Sequence, residues 1–177
     1  TLATGHKPIA FVIRNNETYD MLYQHEVSGL LGIAKYNYYK NVYVAEKDGL
    51  IAAVGTFFNQ SGSSYEFSVL VNGATVYTGK GVSSFRGYET IKLDTYVQIN
   101  EGDKFEVIFK NKVPYMGSSR IKDQEKISYM SSDGKTWQDM YDQSAVALLK
   151  VYTVEDLGIG KNLVKYYGDN APFVATV

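Results

Sequence analysis

Asn72-Gly73 sits between two β-rich runs, residues 65–71 and 74–80, and few dipeptides restrict a chain more. Both residues accept the positive φ of a type I′ turn, so the two runs are predicted to close as an antiparallel hairpin. A two-residue turn sets Val71 opposite Ala74, Val69 opposite Val76 and Phe67 opposite Thr78. Alternation then puts Tyr65, Phe67, Val69, Val71, Ala74 and Val76 on one face. Glu66, Ser68, Thr75 and Tyr77 take the other, with Leu70 the aliphatic exception. Turn and pattern agree on one register. An isolated hairpin is marginal in water, so the remaining chain is expected to cover its apolar face.

That chain supplies further strand-like runs. Residues 7–13, 19–26 and the Tyr-rich 36–45 come first, with 29–33 read as a buried loop or short turn. Residues 50–58 are almost continuously apolar, as a central strand buried on both sides would be. Residues 88–93 alternate, and the turn 100–103 leads into the cleanest strand. There Phe105, Val107 and Phe109 are expected inside, with Lys104, Glu106 and Lys110 outside. Residues 113–124 read as a long polar loop, Asp133-Gly134 as a second hairpin turn between 127–132 and 135–140, and 145–153 as one apolar strand. Helical periodicity never persists over three turns. Sixteen Tyr, eight Phe and sixteen Gly against three Pro suit strands joined by tight turns. The expected fold is all-β, an antiparallel β-sandwich or jelly roll.

Composition changes near Val154. The expected division is a sandwich domain over 1–153, a linker over 154–161, and the truncated beginning of a neighbouring domain over 162–177. The chain thus reads as a fragment of something larger.

Eighteen Lys and Arg against nineteen Asp and Glu give no polyelectrolyte character, so nucleic acid is not an expected partner. No apolar run is long enough to cross a membrane, so direct insertion is not expected either. Without Cys there is no disulfide, thiolate metal site or cysteine nucleophile. Asn16 and Asn59 begin N-glycosylation sequons in expected loops, which favours an extracellular setting.

Chemistry-bearing residues are sparse. The two histidines, His6 and His25, are too few to argue for a triad, and the plain reading of His25 is a partly buried, hydrogen-bonded side chain. Metal-hydrolase and nucleotide motifs are absent, and no cofactor is expected beyond a candidate Ca²⁺ held by Asp133, Asp139 and Asp142. Turn and surface duty explains those carboxylates equally well. Trp137 has two readings: exposed for ligand stacking, or packed on Met130, which the simple hairpin register places opposite it. The candidate ligand site joins Trp137, Asp139 and Tyr141, on one side of their strand by alternation, to Tyr115 and Arg120 in the long loop. Rings stack on sugar faces, Asp139 accepts hydrogen bonds and Arg120 donates them.

Several stretches resemble a known family in order. These are Tyr23-Gln-His-Glu26 before Gly29-Leu-Leu-Gly32, Tyr39-Lys-Asn-Val42 with Tyr43, and Leu50-Ile-Ala-Ala-Val54. Tyr65-Glu-Phe-Ser-Val-Leu-Val71, Gly87-Tyr-Glu-Thr-Ile91, and Gly102-Asp-Lys-Phe105 with Val113-Pro114 follow. Ser128-Tyr129 through Asp133-Gly134 to Trp137, and Leu149-Lys-Val-Tyr-Thr153, complete the set. Together they resemble the lectin-like β-sandwich domain found in methanogen adhesin-like surface proteins and beside some papain-like cysteine peptidases. Residues 162–167 and 173–177 resemble the opening strands of the Ig-like stalk repeats in those adhesins. The resemblance implies a secreted, surface-displayed recognition module with adjacent Ig-like domains, binding a glycan or protein of another cell. It transfers no ligand-contact motif. Alternatives are an accessory domain of a surface cysteine peptidase and a structural spacer.

Overall fold

A computed structural model describes residues 19–26, 32–33, 36–111, 114–116 and 124–155. The sequence readings that fall on 7–13, Asn16, Arg120, the linker from residue 156 onward and residues 162–177 lie outside these. Thirteen strands appear among the described residues: β1 Met21–Tyr23, β2 Gly32–Ile33, β3 Tyr38–Val44, β4 Gly49–Phe58, β5 Ser64–Val71, β6 Ala74–Val82, β7 Gly87–Ile99, β8 Lys104–Lys110, β9 Pro114–Met116, β10 Ser128–Ser131, β11 Gln138–Asp139, β12 Val146–Ala147 and β13 Leu149–Val154. A 3₁₀ turn at Tyr141–Gln143 is the one helical element among them.

All pairings are antiparallel, which makes the protein an all-β sandwich. One sheet runs β1-β13-β4-β7, the second β11-β10-β3-β8-β5-β6, and a small third β12-β9-β2. The interior is filled from β8, where Phe105, Val107 and Phe109 are fully buried, and from β4, where Ile51 and Val54 are. Truncating either phenylalanine to Ala removes about 3–5 kcal/mol at such a site. Strand β4 lies between β13 and β7 and is buried almost throughout, as its unbroken apolar run requires.

The Asn72-Gly73 turn forms, with φ of 50° and 83°, and Val71 meets Ala74. Beyond that first pair the register departs from the simple reading. A β-bulge shifts β6 by one residue, so Val69 faces Tyr77 and Phe67 faces Gly79, not Val76 and Thr78. The extra residue turns Val76 out to 49 % exposure and brings Tyr77 against the core. Gly79 is required here, because the Phe67 ring occupies the space a Cβ would fill. The hairpin is also peripheral: β6 is the sheet edge, and β3 and β8 hold the middle.

Three other expectations change. Residues 87–99 form one long strand, with a register shift opposite Ile51 and Ala53 where the alternation lapses. The apolar run 145–153 breaks at Leu148 into β12 and β13, which belong to different sheets. The polar stretch after Val113 contains β9, paired with β12 and β2.

Candidate functional site

Strand β3 sends Tyr39, Asn41 and Tyr43 inward and Tyr38, Lys40, Val42 and Val44 outward. On the outer face Lys40 stands between Tyr129 of β10 and Ile108 of β8, its cross-strand neighbours. Its ammonium lies 4.8 Å from the Tyr129 ring centre and 4.9 Å from that of Trp137. Both distances are within cation–π range. The same Nζ donates to Glu106 Oε2 at 2.9 Å, with the two side chains 16 % and 15 % exposed. Lys104 lies 3.9 Å from the other Glu106 oxygen. Two aromatic rings are thus held around one cation whose charge is already matched. Burial, followed by the Asp139 and Glu106 carboxylates, raises the Tyr129 phenol above its ordinary range, so it remains a neutral hydrogen-bonding group.

Trp137 is brought there by a tied loop, not by the two-residue hairpin expected at Asp133-Gly134. Met130 pairs with Gln138 and Tyr129 with Asp139, leaving residues 132–137 to turn the chain. Asp133 Oδ1 accepts the N–H groups of Lys135 and Thr136, each at 2.8 Å, and the Ser131 hydroxyl at 2.9 Å. Those bonds hold its carboxyl down at about 2. Gly134, at φ 73°, lies against the Tyr38 ring. Met130 points into the core, and Trp137 is not among the described side chains packed on that core. Trp137 precedes the paired residues of β11 and Met130 pairs with Gln138, so the register that sets Trp137 opposite Met130 does not form.

The other sequence-selected residues divide. Asp139 adjoins the platform, but its carboxylate accepts Lys126 N–H at 2.7 Å and Tyr141 N–H at 3.0 Å. Tyr141 does not continue the strand: β11 ends at Asp139, Met140 is buried, and Tyr141 begins the 3₁₀ turn. Tyr115 belongs to β9, and Arg120 lies outside the described residues. Asp133, Asp139 and Asp142 do not gather as one group, and no metal-holding cluster of His, Asp or Glu occurs among the described residues. Asn59 is exposed in the β4–β5 loop. His25 is 5 % exposed, stacks on Tyr43 at 4.5 Å, and shares a 2.9 Å hydrogen bond with the Val42 carbonyl. Lys40, Glu106 and Tyr129 escaped sequence reasoning. Their only signal was that each is an outward position on an alternating strand.

The class defined by this geometry is an antiparallel β-sandwich with aromatic rings and paired charges on one sheet face. Residues 22–153 match the lectin-like domain family, and the chain belongs to it. No curated protein matches by sequence. Among solved structures, the clostridial cysteine protease Cwp84 after propeptide cleavage is similar over 77 % of this chain and 40 % of its own, at 17 % identity and TM-score 0.60. The cysteine protease and lectin-like domains of Cwp84, a surface-layer-associated protein of Clostridium difficile, match over 77 % and 36 %, at 18 % identity and TM-score 0.58. These likenesses establish the fold, and the chain spans about two fifths of those neighbours. No helix among the described residues is long and apolar enough to cross a membrane.

Proposed function

We propose that this domain is a non-catalytic extracellular recognition module that binds a cell-surface glycan through the Trp137–Tyr129 platform. One observation carries the reading: Lys40 lies over two aromatic rings and is paired with Glu106 on the outer face, outside the core. Aromatic faces take the C–H faces of sugar rings, and the surrounding Lys40, Glu106 and Asp139 offer charge-assisted hydrogen bonds to hydroxyls. A platform whose rings are already ordered loses little side-chain entropy when it binds. The absence of Cys and the stacked, hydrogen-bonded state of His25 support a non-catalytic reading. Display on a cell by following Ig-like repeats, for contact with another cell, belongs to this proposal and rests on residues 162–177.

A second reading is favoured by the solved neighbours, in which a lectin-like domain accompanies a cysteine protease. Here the same platform positions a peptidase on a polymeric substrate. Both readings use the same platform, and the full gene's companion domains separate them.

The test is glycan-array and whole-cell binding by the wild type and by Trp137→Ala. Binding is expected to fall at least about tenfold, with unfolding free energy changed by no more than about 1 kcal/mol. Unchanged binding, or a stability loss of about 3–5 kcal/mol as for a core aromatic, overturns the proposal.

A further inference from the structure

We infer that the sugar chain bound at the platform continues along β3 into a groove beside Val44, so that the site selects an extended, equatorially linked glycan over a single sugar. This rests on the platform reading above. The groove encloses about 830 Å³, with Tyr43 and His25 among its deepest residues. It begins where the platform ends: Lys126 on its rim donates its N–H to Asp139, and Asp139 is the cross-strand partner of Tyr129.

The groove exists because β10 leaves β3. Their pairing stops at Ser128 and Asn41, and Val42 N–H makes the last backbone bond, to Ile127 O at 2.8 Å. The Val42 carbonyl is taken by His25. Two residues further, the Val44 backbone faces the same vacated side. It does not bond across to β8, because Lys104 gives its carbonyl to Asn72 N–H and its own N–H to Asn72 Oδ1. Among the described residues no hydrogen bond takes up the Val44 N–H and C=O. The Val44 side chain is 59 % exposed.

One open donor–acceptor pair is too short for strand addition by a peptide, which gains its affinity by pairing along several residues. It suits a sugar chain, whose hydroxyls donate and accept along both edges and whose C–H faces cover an apolar side chain. Glu46, Glu101 and Lys104 on the groove wall add acceptors and a donor for such hydroxyls. Lys40 to Val44 spans about 13 Å of β3 at ~3.3 Å per residue, and the groove wall continues past the strand to Glu46, room for several sugars in a row. Equatorial 1,4-links keep a chain straight enough to follow a strand, whereas axial links coil it.

The experiment measures affinity of the whole chain for two β-1,4-linked series, glucose and N-acetylglucosamine, from monosaccharide to long oligomer. In at least one series, affinity should rise about tenfold or more between the dimer and the longest oligomer. Val44→Arg, an exposed position where folding is retained, should abolish that rise while dimer binding persists, and Trp137→Ala should lose both. Equal affinity for short and long chains, or a rise unaffected by Val44→Arg, overturns the inference and leaves the platform standing. Binding only to glycans of other linkage overturns the chain class alone, and binding to no glycan overturns the platform reading and this inference together. An extended peptide whose binding is lost in Val44→Arg, without any chain-length effect for sugars, overturns the inference in favour of strand addition.

Discussion

Asn41 on β3 donates its side-chain amide to the carbonyl of Leu149 on β13, 3.0 Å away, across the interior between the two main sheets. The same amide reaches Ala147 O at 3.0 Å and the Tyr43 hydroxyl at 3.1 Å, and its oxygen accepts the Ser128 hydroxyl at 2.7 Å. Ser128 Oγ in turn accepts Ala147 N–H at 2.9 Å, and Tyr43 donates to Leu149 O at 2.7 Å. Side chains therefore tie the backbone on both sides of Leu148, where the chain passes from one sheet to another, and the Leu148 carbonyl itself accepts the Thr56 hydroxyl at 2.9 Å. Asn41→Ala leaves several buried groups unpaired, each costing about 1–3 kcal/mol. Urea denaturation should show a loss of about 3 kcal/mol or more, and a loss below 1 kcal/mol would remove the network from any stabilising account.

The bulge in β6 makes opposite predictions for adjacent residues. Val76→Thr, at an exposed site, should change stability by less than about 0.5 kcal/mol. Tyr77→Ala removes a ring that contacts Phe67 at 5.7 Å between centres and should cost clearly more, about 1–3 kcal/mol. The unbulged register requires the reverse order, so thermal melts of the two variants decide between them.

Asp133 titrates near 2, below its ordinary 3.8, because the fold donates backbone and hydroxyl hydrogen bonds to its charged form. A depressed folded pKa contributes stability above the unfolded value, and that contribution disappears as pH falls from about 4 to about 2. Asp133→Asn should remove this segment of the acid-stability curve and loosen the loop that carries Trp137. Carboxyl NMR placing the Asp133 midpoint at its ordinary value would contradict the hydrogen-bonded turn.

Glu26 works in the opposite sense. It is buried, and desolvation raises its pKa despite Lys150 Nζ at 3.3 Å from its carboxylate. The folded state therefore holds the proton more tightly than the unfolded one, and stability declines as pH rises from the unfolded pKa through the folded one. Glu26→Gln should flatten that decline. An unchanged slope in the variant would show that Glu26 does not contribute to it.

Strand identity was legible wherever local pattern and turn chemistry agreed. Phe105, Val107 and Phe109 alternate cleanly and lie inside, the run 50–58 is the doubly buried strand, and Asn72-Gly73 turns the chain. Trp137 and Asp139 could be picked out because a lone Trp near carboxylates is conspicuous in any sequence. Their partners could not be found that way. Lys40 and Glu106 are separated by 66 positions and look like ordinary outward residues of alternating strands.

The sequence by itself determined the all-β class, the faces of the regular strands and the Asn72-Gly73 turn, because these follow from period-two burial and from which residues tolerate positive φ. Only the tertiary structure decided the bulge that reverses Val76 and Tyr77, the break at Leu148, and the placing of Lys40 over Tyr129 and Trp137. Each depends on which strand lies alongside which. A register shift or a three-residue ion–ring contact is set by neighbours distant in the chain, and the local pattern does not encode them.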